Sequence, residues 1–315
     1  MLKVQCLELK QMVNFFFASA ILLLSLAGVT AVNEAEARPG ELPPCDNSTK
    51  VTTEAAKTSQ GCRIKIEDLH PTQPTVGMLA VRCKAQKVSR KFKKGKLDDY
   101  LAKEDRFVPL VRGPGGAFYL TDHHHLATGI WNAEIPPQKM VVNAYLISDL
   151  SSLSPELFWS KMQADNRAWL RDSSGAAISP AQLPGSISQL TDDPLRTLSA
   201  WVRAGCGYIK CDPGSELSCS TKFPQVSCAK AFFLEFTWGE YLGSVPAVRK
   251  ALADNIACPQ QNLLSSSCLI NQRNKLIQVL PATMEAAAAS GAKTLGGYNP
   301  SVQPGTPEPA DCASD

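Results

Sequence analysis

The segment Gly113–Ile130, GPGGAFYLTDHHHLATGI, limits the local structure more than any other part of this 315-residue chain. Two short runs of strand-forming residues, RFVPLVRG and AFYLTD, flank the glycine-rich sequence at 113–116. This pattern predicts two strands joined by a tight turn. The sequence HHHLATGIWNA follows at once, and its apolar spacing predicts a helix that begins at the histidines.

Three of the four histidines in the chain are consecutive, at His123, His124 and His125. Asp122 precedes them and suits the N-cap of the helix, where a carboxylate accepts a backbone N–H. The first turn of a helix has unpaired N–H groups that attract phosphate or another anion. Histidines there could add donors or act as general acid or base, since imidazole titrates near neutral pH. At most two of them are expected to serve one site, because consecutive side chains diverge.

Two other interpretations of the histidine run remain open. A metal ion would need further ligands, and Asp122, the fourth histidine His70 and two of the consecutive histidines could supply them. Alternatively, the run only caps the helix and packs against the sheet, without any chemistry.

Both sides of this segment show further alternating and helical patterns. The sequence predicts a strand over Cys62–Leu69, a helix from Met78 to about Lys94, and a strand in KMVVNAYLIS. Helices are expected in SPELFWSKMQAD, where Leu157, Phe158 and Met162 are the apolar positions, and in DDPLRTLSAWVRAG, with Asp193 as cap and Gly205 at its end. The run FFLEFTWGEYLG is expected to be a strand that feeds a helix, and residues 246–290 a helical extension.

The two ends of the chain have different compositions from the middle. Residues 1–37 combine Lys3 and Lys10, a long apolar run and small residues near Ala31 and Ala37, which is typical of a secretory signal. An uncleaved membrane anchor is the alternative. After cleavage we expect a secreted or periplasmic protein with no stable membrane insertion. Residues 38–61 are expected to be a flexible entry, and residues 291–315 a disordered tail.

Ten of the eleven cysteines follow the predicted signal, an even number that favours disulfides in an exported chain. Their pairing cannot be deduced from the sequence. Zinc is an alternative for Cys206, Cys211, Cys219 and Cys228, although their spacing lacks the C-x-x-C pairs of zinc sites.

Five segments in order resemble the ParB-like nuclease family of the wider ParB/sulfiredoxin group: IEDLHPTQPTVG, VPLVRGPGGAFYLTDHHHLATGI, SDLSSLSPELFW, LTDDPLRTLSAWVR and FFLEFTWGEYL. The resemblance covers roughly Cys62 to Leu242, and DHHHLA after GPGG is its most specific part. It implies an α+β fold with a small mixed ParB/sulfiredoxin-like sheet over residues 62–245. It also implies a Cys-rich insertion at 206–231 and a helical C-terminal extension.

The resemblance also implies a nucleotide or phosphate pocket and candidate residues for it. His124, His125, Asp122 and Asp68 are the catalytic candidates, with Glu67 as a further carboxylate. Thr72, Gln73, Gly115, Gly116 and His123 are candidates for substrate binding. The chain departs from the group's phosphate motif, because His123 stands where its glycine is expected and Leu126 where its arginine is expected.

The segment KAQKVSRKFKKGK, Lys84–Lys96, has seven basic residues and no acidic one. Lys84, Lys87, Lys91 and Lys94 recur at helical spacing, and such a stripe could contact the phosphates of a nucleic acid. We include Lys91 as a substrate-binding candidate. A solvated helix face is the alternative interpretation, and the net charge of +3 does not by itself imply a nucleic-acid partner.

The sequence therefore supports three hypotheses about function. The first is an exported phosphodiesterase or nuclease with a histidine-bearing phosphate site, acting on nucleic acid or a phosphate-containing small molecule. The second is a non-catalytic module that binds an anion or nucleotide, and the third is a small-molecule kinase. The cofactor is unknown, with a divalent metal as one option, and the oligomeric state is not indicated.

Overall fold

The computed structural model describes residues 42–211, 219–253 and 256–302, and the expected signal at 1–37 lies outside them. The strands are β1 (Cys62–Lys65), β2 (Leu69–Pro71), β3 (Thr75–Val76), β4 (Val108–Arg112), β5 (Phe118–Leu120), β6 (Val141–Asp149) and β7 (Thr191–Asp192). The α-helices are α1 (Lys57–Gln60), α2 (Met78–Lys93), α3 (Leu97–Leu101), α4 (His124–Trp131), α5 (Pro155–Ala164), α6 (Pro194–Ala204), α7 (Cys219–Lys222), α8 (Leu234–Gly243), α9 (Pro246–Leu252) and α10 (Ser267–Ala288).

Five strands form one mixed sheet in the order β1-β6-β4-β5-β2, and β3 pairs with β7 in a second, two-stranded sheet. The pairs β1/β6 and β4/β5 are antiparallel, whereas β4/β6, β2/β5 and β3/β7 are parallel. The protein thus has the mixed α+β fold expected from the sequence. The strand expected over Cys62–Leu69 is divided into β1 and β2 by a 3-10 turn at Ile66–Asp68.

The hairpin of β4 and β5 forms where the glycine-rich turn was predicted. Arg112 pairs with Phe118, and Leu110 with Leu120. Gly115 and Gly116 have φ of 71° and 82°, in the left-handed region that glycine adopts without a steric penalty. The β5 strand then leads directly to α4, so the histidines lie at the opposite end of β5 from the turn.

Alternate side chains of β5 contact two different cores, as the pleat of a strand requires. Phe118 and Leu120 belong to the main core, together with residues of α2 and α4. Tyr119 belongs to a smaller core on the other face, where Phe158 and Met162 of α5 are fully buried. Leu157 was expected to share that apolar face but is 60% exposed, because it precedes Phe158 by one position and points to solvent.

Helix boundaries follow local signals where these are strong. In α2, Met78, Val81 and Val88 are fully buried as expected. Asp193 caps α6 by accepting the backbone N–H groups of Leu195 and Arg196, and Gly205 is its C-cap residue. The prediction of a strand at the start of FFLEFTWGEYLG is wrong, because Phe233 has a left-handed φ of 61° and α8 begins at Leu234.

Both segments that were expected to be flexible are packed where the structure describes them. In the entry at 38–61, Cys45 is bonded to Cys62, and the backbone N–H of Thr52 donates to the carbonyl of Leu146 at 2.8 Å. In the tail, Asn299 is fully buried and its amide donates to the carbonyl of Cys206 at 2.9 Å. Backbone pairing and one disulfide outweigh the polar composition of these segments, and residues 303–315 lie outside the described part.

The cysteines pair as disulfides: Cys45–Cys62, Cys206–Cys219, Cys211–Cys228 and Cys258–Cys268. The four cysteines considered for zinc are therefore bonded to one another. Within the expected Cys-rich insertion at 206–231, Tyr208 is fully buried and stacks on Trp238 with ring centroids 4.4 Å apart. Across residues 42–302, the undescribed gaps set aside, no helix combines the length and apolar character that a membrane crossing needs.

Candidate functional site

The histidine run lies at the junction between β5 and α4, and its backbone is sharply bent there. His123 has φ of 64°, in the left-handed region, and its carbonyl accepts the N–H groups of Leu126 and Ala127. His123 is therefore the N-cap residue, and α4 begins at His124. Asp122 was expected to cap this helix, but its carboxylate instead accepts the N–H of His123 at 2.6 Å, because the bend turns it back on its neighbour.

His124 is buried and serves as a hydrogen-bond acceptor for the first loop. Its Nε2 accepts the backbone N–H of Thr72 at 3.2 Å, and only 3% of the residue is exposed. The hydroxyl of Thr72 donates in turn to the carbonyl of Leu120 at 2.7 Å. Burial lowers the pKa of His124 to about 3, despite the opposing effect of Asp122. The ring is therefore neutral near pH 7 and does not act as a general acid there.

His125 has the same role one residue further along. Its Nε2 accepts the backbone N–H of Gly77 at 3.0 Å, and burial holds its pKa well below the usual range. The two imidazoles therefore join the N-terminus of α4 to both ends of the loop that carries Thr72 and Gln73. The expected acid–base role of His124 and His125 does not fit this geometry, because a backbone N–H occupies the acceptor nitrogen of each ring.

His123 is partly exposed and lies in a different electrostatic environment. Burial lowers its pKa, Asp122 opposes this, and the positive charges of Lys84, Arg106 and Lys210 lower it further. Burial alone would raise the pKa of Asp122, but His123 and Lys210 hold it below its usual range. The site thus combines an ionised carboxylate, a neutral imidazole and three cations.

Lys84 comes close to this site because α2 and α4 cross at Gly129. A Cβ atom at Gly129 would lie 2.5 Å from the Cβ of Lys84, so any larger residue would push the helices apart. The sequence DHHHLATGI therefore contains the histidines and also Gly129, which allows α2 and α4 to cross closely and places Lys84 beside α4.

A cluster of buried charged residues lies close enough to the histidines to change their pKa values. Glu235 of α8 is 4% exposed and is contacted by three cations, with Lys210 at 3.4 Å, Arg196 at 3.8 Å and Arg203 in a shorter hydrogen bond. These cations overcome the effect of burial and hold the pKa of Glu235 far below its usual range. Arg196 also lowers the pKa of His125, and Lys210 that of His123, so the cluster and the histidine run form one electrostatic unit.

Four of the candidate residues lie elsewhere. Asp68 and its neighbour Glu67 are exposed on the 3-10 turn before β2, and Glu67 pairs with Lys65 at 3.0 Å. A Cβ atom at Gly115 would meet no heavy atom within 4 Å, and one at Gly116 would face Asn47. Both glycines precede β5, at the end of the strand opposite the histidines. Glycine is needed at these positions for the positive φ of the turn, and not to make room for a ligand.

Two further candidates lie in the elements around the histidines, Gln73 in the first loop and Lys91 on α2. Gln73 is buried, but its amide donates to the carbonyl of Thr75 within its own loop. Lys91 lies seven residues beyond Lys84 in α2, which corresponds to a distance of about 10 Å along the helix axis. The basic stripe is also not uniform, because the Nζ of Lys87 lies 5.6 Å from the ring centroid of Tyr100.

The histidine run does not form a metal centre with His70. His70 belongs to β2 and packs against Tyr119 on the other face of the sheet, with ring centroids 5.3 Å apart. Within the described part of the chain, no three side chains of His, Cys, Asp or Glu converge as a ligand set. The donors present near Asp122 therefore do not fit a divalent metal held by protein ligands alone.

Sequence reasoning missed the cations and the acid on α6, α8 and the Cys-rich segment. One signal was available, because Glu235 interrupts the apolar run FFLEFTW, and a carboxylate in such a run is buried only when it is paired. Its partners could not be recognised, since Arg196, Arg203 and Lys210 look like ordinary surface residues in the sequence.

The fold and the site define a mixed α+β protein in which a strand–helix junction carries an ionised carboxylate and three consecutive histidines, in the electrostatic field of basic side chains from other segments. The chain belongs to the family described as "Putative ParB-like nuclease", whose model matches residues 62–244, more than half of its length. This confirms the family resemblance drawn from the sequence motifs.

Among solved structures, the chain is similar to protein Atu1540 from Agrobacterium tumefaciens. The two are 24% identical with a TM-score of 0.52, and the match covers 76% of this chain and 97% of that one. This likeness supports the fold alone. A comparison with curated proteins gives no match.

Proposed function

We propose that this protein is an exported hydrolase that binds a phosphate ester beside Asp122 and His123 and cleaves it as a phosphodiesterase or nuclease. The observation that carries the proposal is the partly exposed ring of His123, which follows the ionised carboxylate of Asp122 in a bent backbone and lies in the electrostatic field of Lys84, Arg106 and Lys210. A neutral imidazole among cations suits an anionic substrate and remains able to accept a proton.

In the proposed reaction a water molecule attacks phosphorus. His123 accepts the proton of that water as the new P–O bond forms. The bond to the leaving group breaks with both electrons on the leaving oxygen, which takes a proton from solvent and departs as the alcohol, and the imidazolium then returns its proton to solvent. The ionised Asp122 stabilises the imidazolium that results, and the cations compensate the charge that develops on the phosphoryl oxygens. His124 and His125 act as positioning residues, since they hold the loop at 72–77 against the start of α4.

Export is supported by the apolar N-terminal run and by the disulfides, which persist in oxidising compartments. Nucleic acid is the proposed macromolecular substrate. The basic residues of α2 beyond Lys84 would contact further phosphates of such a polymer.

The test uses the disulfide-intact protein with bis-nitrophenyl phosphate, plasmid DNA and RNA, each with and without added divalent metal. H123N should lower turnover by about 100-fold or more, the usual effect of removing a general base. The matched control is K91A, which removes a cation two helical turns from Lys84 and should change turnover of the small substrate by less than about two-fold. Undiminished activity of H123N would refute the proposed role.

A second candidate is a non-catalytic anion-binding module. It is favoured by the engagement of His124 and His125 with backbone N–H groups, which withdraws two of the three imidazoles from acid–base chemistry. Inorganic phosphate titrated into the protein and followed by calorimetry separates the two. Binding that K210M weakens, together with no turnover of any of the three substrates, would support the module over the hydrolase.

A further inference from the structure

A cavity lies on the face of the sheet that does not carry the histidine run. It has a volume of about 660 Å³ and is bounded by the edge strand β2, by α5 and by the loop at 179–185. Its floor contains His70 and Tyr119, and Tyr119 belongs to the smaller core on the α5 face. The cavity is thus separated from the site at Asp122 by the sheet itself.

The aromatic floor is held in place by its neighbours. Tyr119 lies between Phe158, at 4.6 Å between ring centroids, and Trp159, at 5.4 Å with the rings nearly perpendicular. A Cβ atom at Gly113 would lie 2.5 Å from the ring of Tyr119, so only glycine leaves room for this ring position. The partly exposed faces of Tyr119 and Trp159 are therefore preorganised rather than free to collapse into the space.

The rim of the cavity is polar but carries almost no charge. Glu156, Ser160 and Gln163 follow one another on the same side of α5, and Ser179 faces them from the loop. Together they offer hydroxyl, amide and carboxylate groups that can both donate and accept hydrogen bonds. Within the described part of the chain, no lysine or arginine lines this cavity.

This chemistry disfavours phosphate and favours a neutral polyol. Glu156 would repel a phosphate group, and no cation in the cavity lining is there to compensate. A sugar ring has an apolar face of C–H groups that packs on the electron-rich face of Trp or Tyr, while its hydroxyls need several partners at the ring edge. The volume lies within the usual range for small-ligand sites and accommodates more than one sugar unit.

We infer that the cavity formed by Tyr119, Trp159 and the polar edge of α5 is a binding site for a neutral carbohydrate. The site is independent of the proposed hydrolase function, since it shares neither residues nor sheet face with Asp122 and His123. Trp159 and Tyr119 provide the stacking surface, and Glu156 and Gln163 select for hydroxyl groups.

The test measures binding of neutral tetrasaccharides to the full, disulfide-intact chain by calorimetry. The probes are β-1,4-linked glucose, β-1,4-linked N-acetylglucosamine and α-1,4-linked glucose. At least one should bind saturably, and W159A should weaken its binding by about ten-fold or more, because the stacking face is removed. Q163A should weaken it by about three-fold to ten-fold through the loss of a hydrogen bond.

The matched control is L157A, on the same helix and 60% exposed, which lies outside the lining of the cavity. It should bind the sugar as the wild type does, and all variants should hydrolyse bis-nitrophenyl phosphate at the wild-type rate if the protein is a hydrolase. No saturable binding of any of the three sugars overturns the inference. The inference is also overturned if W159A binds the sugar as tightly as the wild type does and the thermal unfolding of this variant shows that it is folded. A proline-rich peptide that binds in a Trp159-dependent way, when no sugar does, also overturns it and assigns the cavity to peptide recognition.

Discussion

The carboxylate of Asp192 accepts the backbone N–H of Met78, the first residue of α2, at 2.9 Å. The same side chain accepts the N–H of Cys258 at 2.7 Å and the amide of Gln272 in α10. One buried carboxylate therefore joins β7, α2 and the C-terminal helices. These contacts explain how the segment beyond the family match becomes part of the same core.

Replacing this carboxylate should destabilise the whole protein. D192N presents an amide group to backbone donors, so at least one buried N–H loses its acceptor, and the free energy of unfolding should fall by about 2–4 kcal/mol. Urea denaturation followed by circular dichroism measures this. The control is D172N, because Asp172 makes a similar set of bonds to Ser174 and Ala176 in an exposed turn and should cost less than about 1 kcal/mol. Equal effects would show that Asp192 does not join the elements as described.

The buried imidazole of His124 should make the protein less stable in acid. The folded-state pKa of His124 is about 3, below the unfolded value of about 6.5, so the unfolded chain binds more protons between these values. The contribution of this ring is therefore complete above about pH 6.5 and is lost as the pH falls. Between about pH 7 and about pH 4, this ring should lower the free energy of unfolding by about 3 kcal/mol.

The measurement compares urea unfolding of the wild type and H124Q over this pH range, since glutamine retains an acceptor oxygen but does not titrate. The comparison is needed because burial raises the pKa of Asp193 to about 6, and this acts in the opposite direction over part of the range. H124Q should show a weaker pH dependence than the wild type. Parallel curves for wild type and H124Q would contradict the prediction.

Neutralising Glu235 should cost far more than neutralising an exposed acid of the same helix. E235Q leaves Arg196, Arg203 and Lys210 clustered without their common anion, and we expect a loss of about 3–5 kcal/mol in unfolding free energy. E240Q is the matched variant, because Glu240 is exposed in α8 and lies 3.6 Å from Arg171. It should change stability by less than about 1 kcal/mol. Similar losses for both variants would mean that the ion cluster does not contribute as its burial suggests.

The disulfide Cys45–Cys62 should protect the segment before β1 from proteolysis. The backbone N–H of Cys45 donates to the carbonyl of Arg63 at 2.9 Å, but this pairing is short, so we expect it to need the covalent link. Limited trypsin digestion of C45S/C62S should release fragments cut near Lys50 and Lys57 well before the wild type does. The variant C258S/C268S removes a disulfide elsewhere in the chain and should not accelerate cleavage at these two lysines.

Local patterns were sufficient for several elements of the fold. The glycines at 115 and 116 indicated the hairpin because few other residues adopt a positive φ, and the Asp193–Pro194 pair indicated the start of α6 because it carries its own cap. Composition was a poor guide for the segments around Cys45 and Asn299. Polar residues there are held by backbone pairing, a buried side-chain hydrogen bond and a disulfide, none of which leaves a periodic pattern.

The sequence by itself determined the hairpin, the start of α4 at the histidine run and the family motifs, because these depend on residues that are close together in the chain. Only the tertiary structure decided what each histidine does. His124 and His125 accept hydrogen bonds from the backbone of Thr72 and Gly77 about fifty residues earlier. The pKa of His123 is instead lowered by the charges of Lys84, Arg106 and Lys210, which belong to three separate segments. Burial and the sum of charges set the protonation of an imidazole, and both depend on parts of the chain that are distant in sequence.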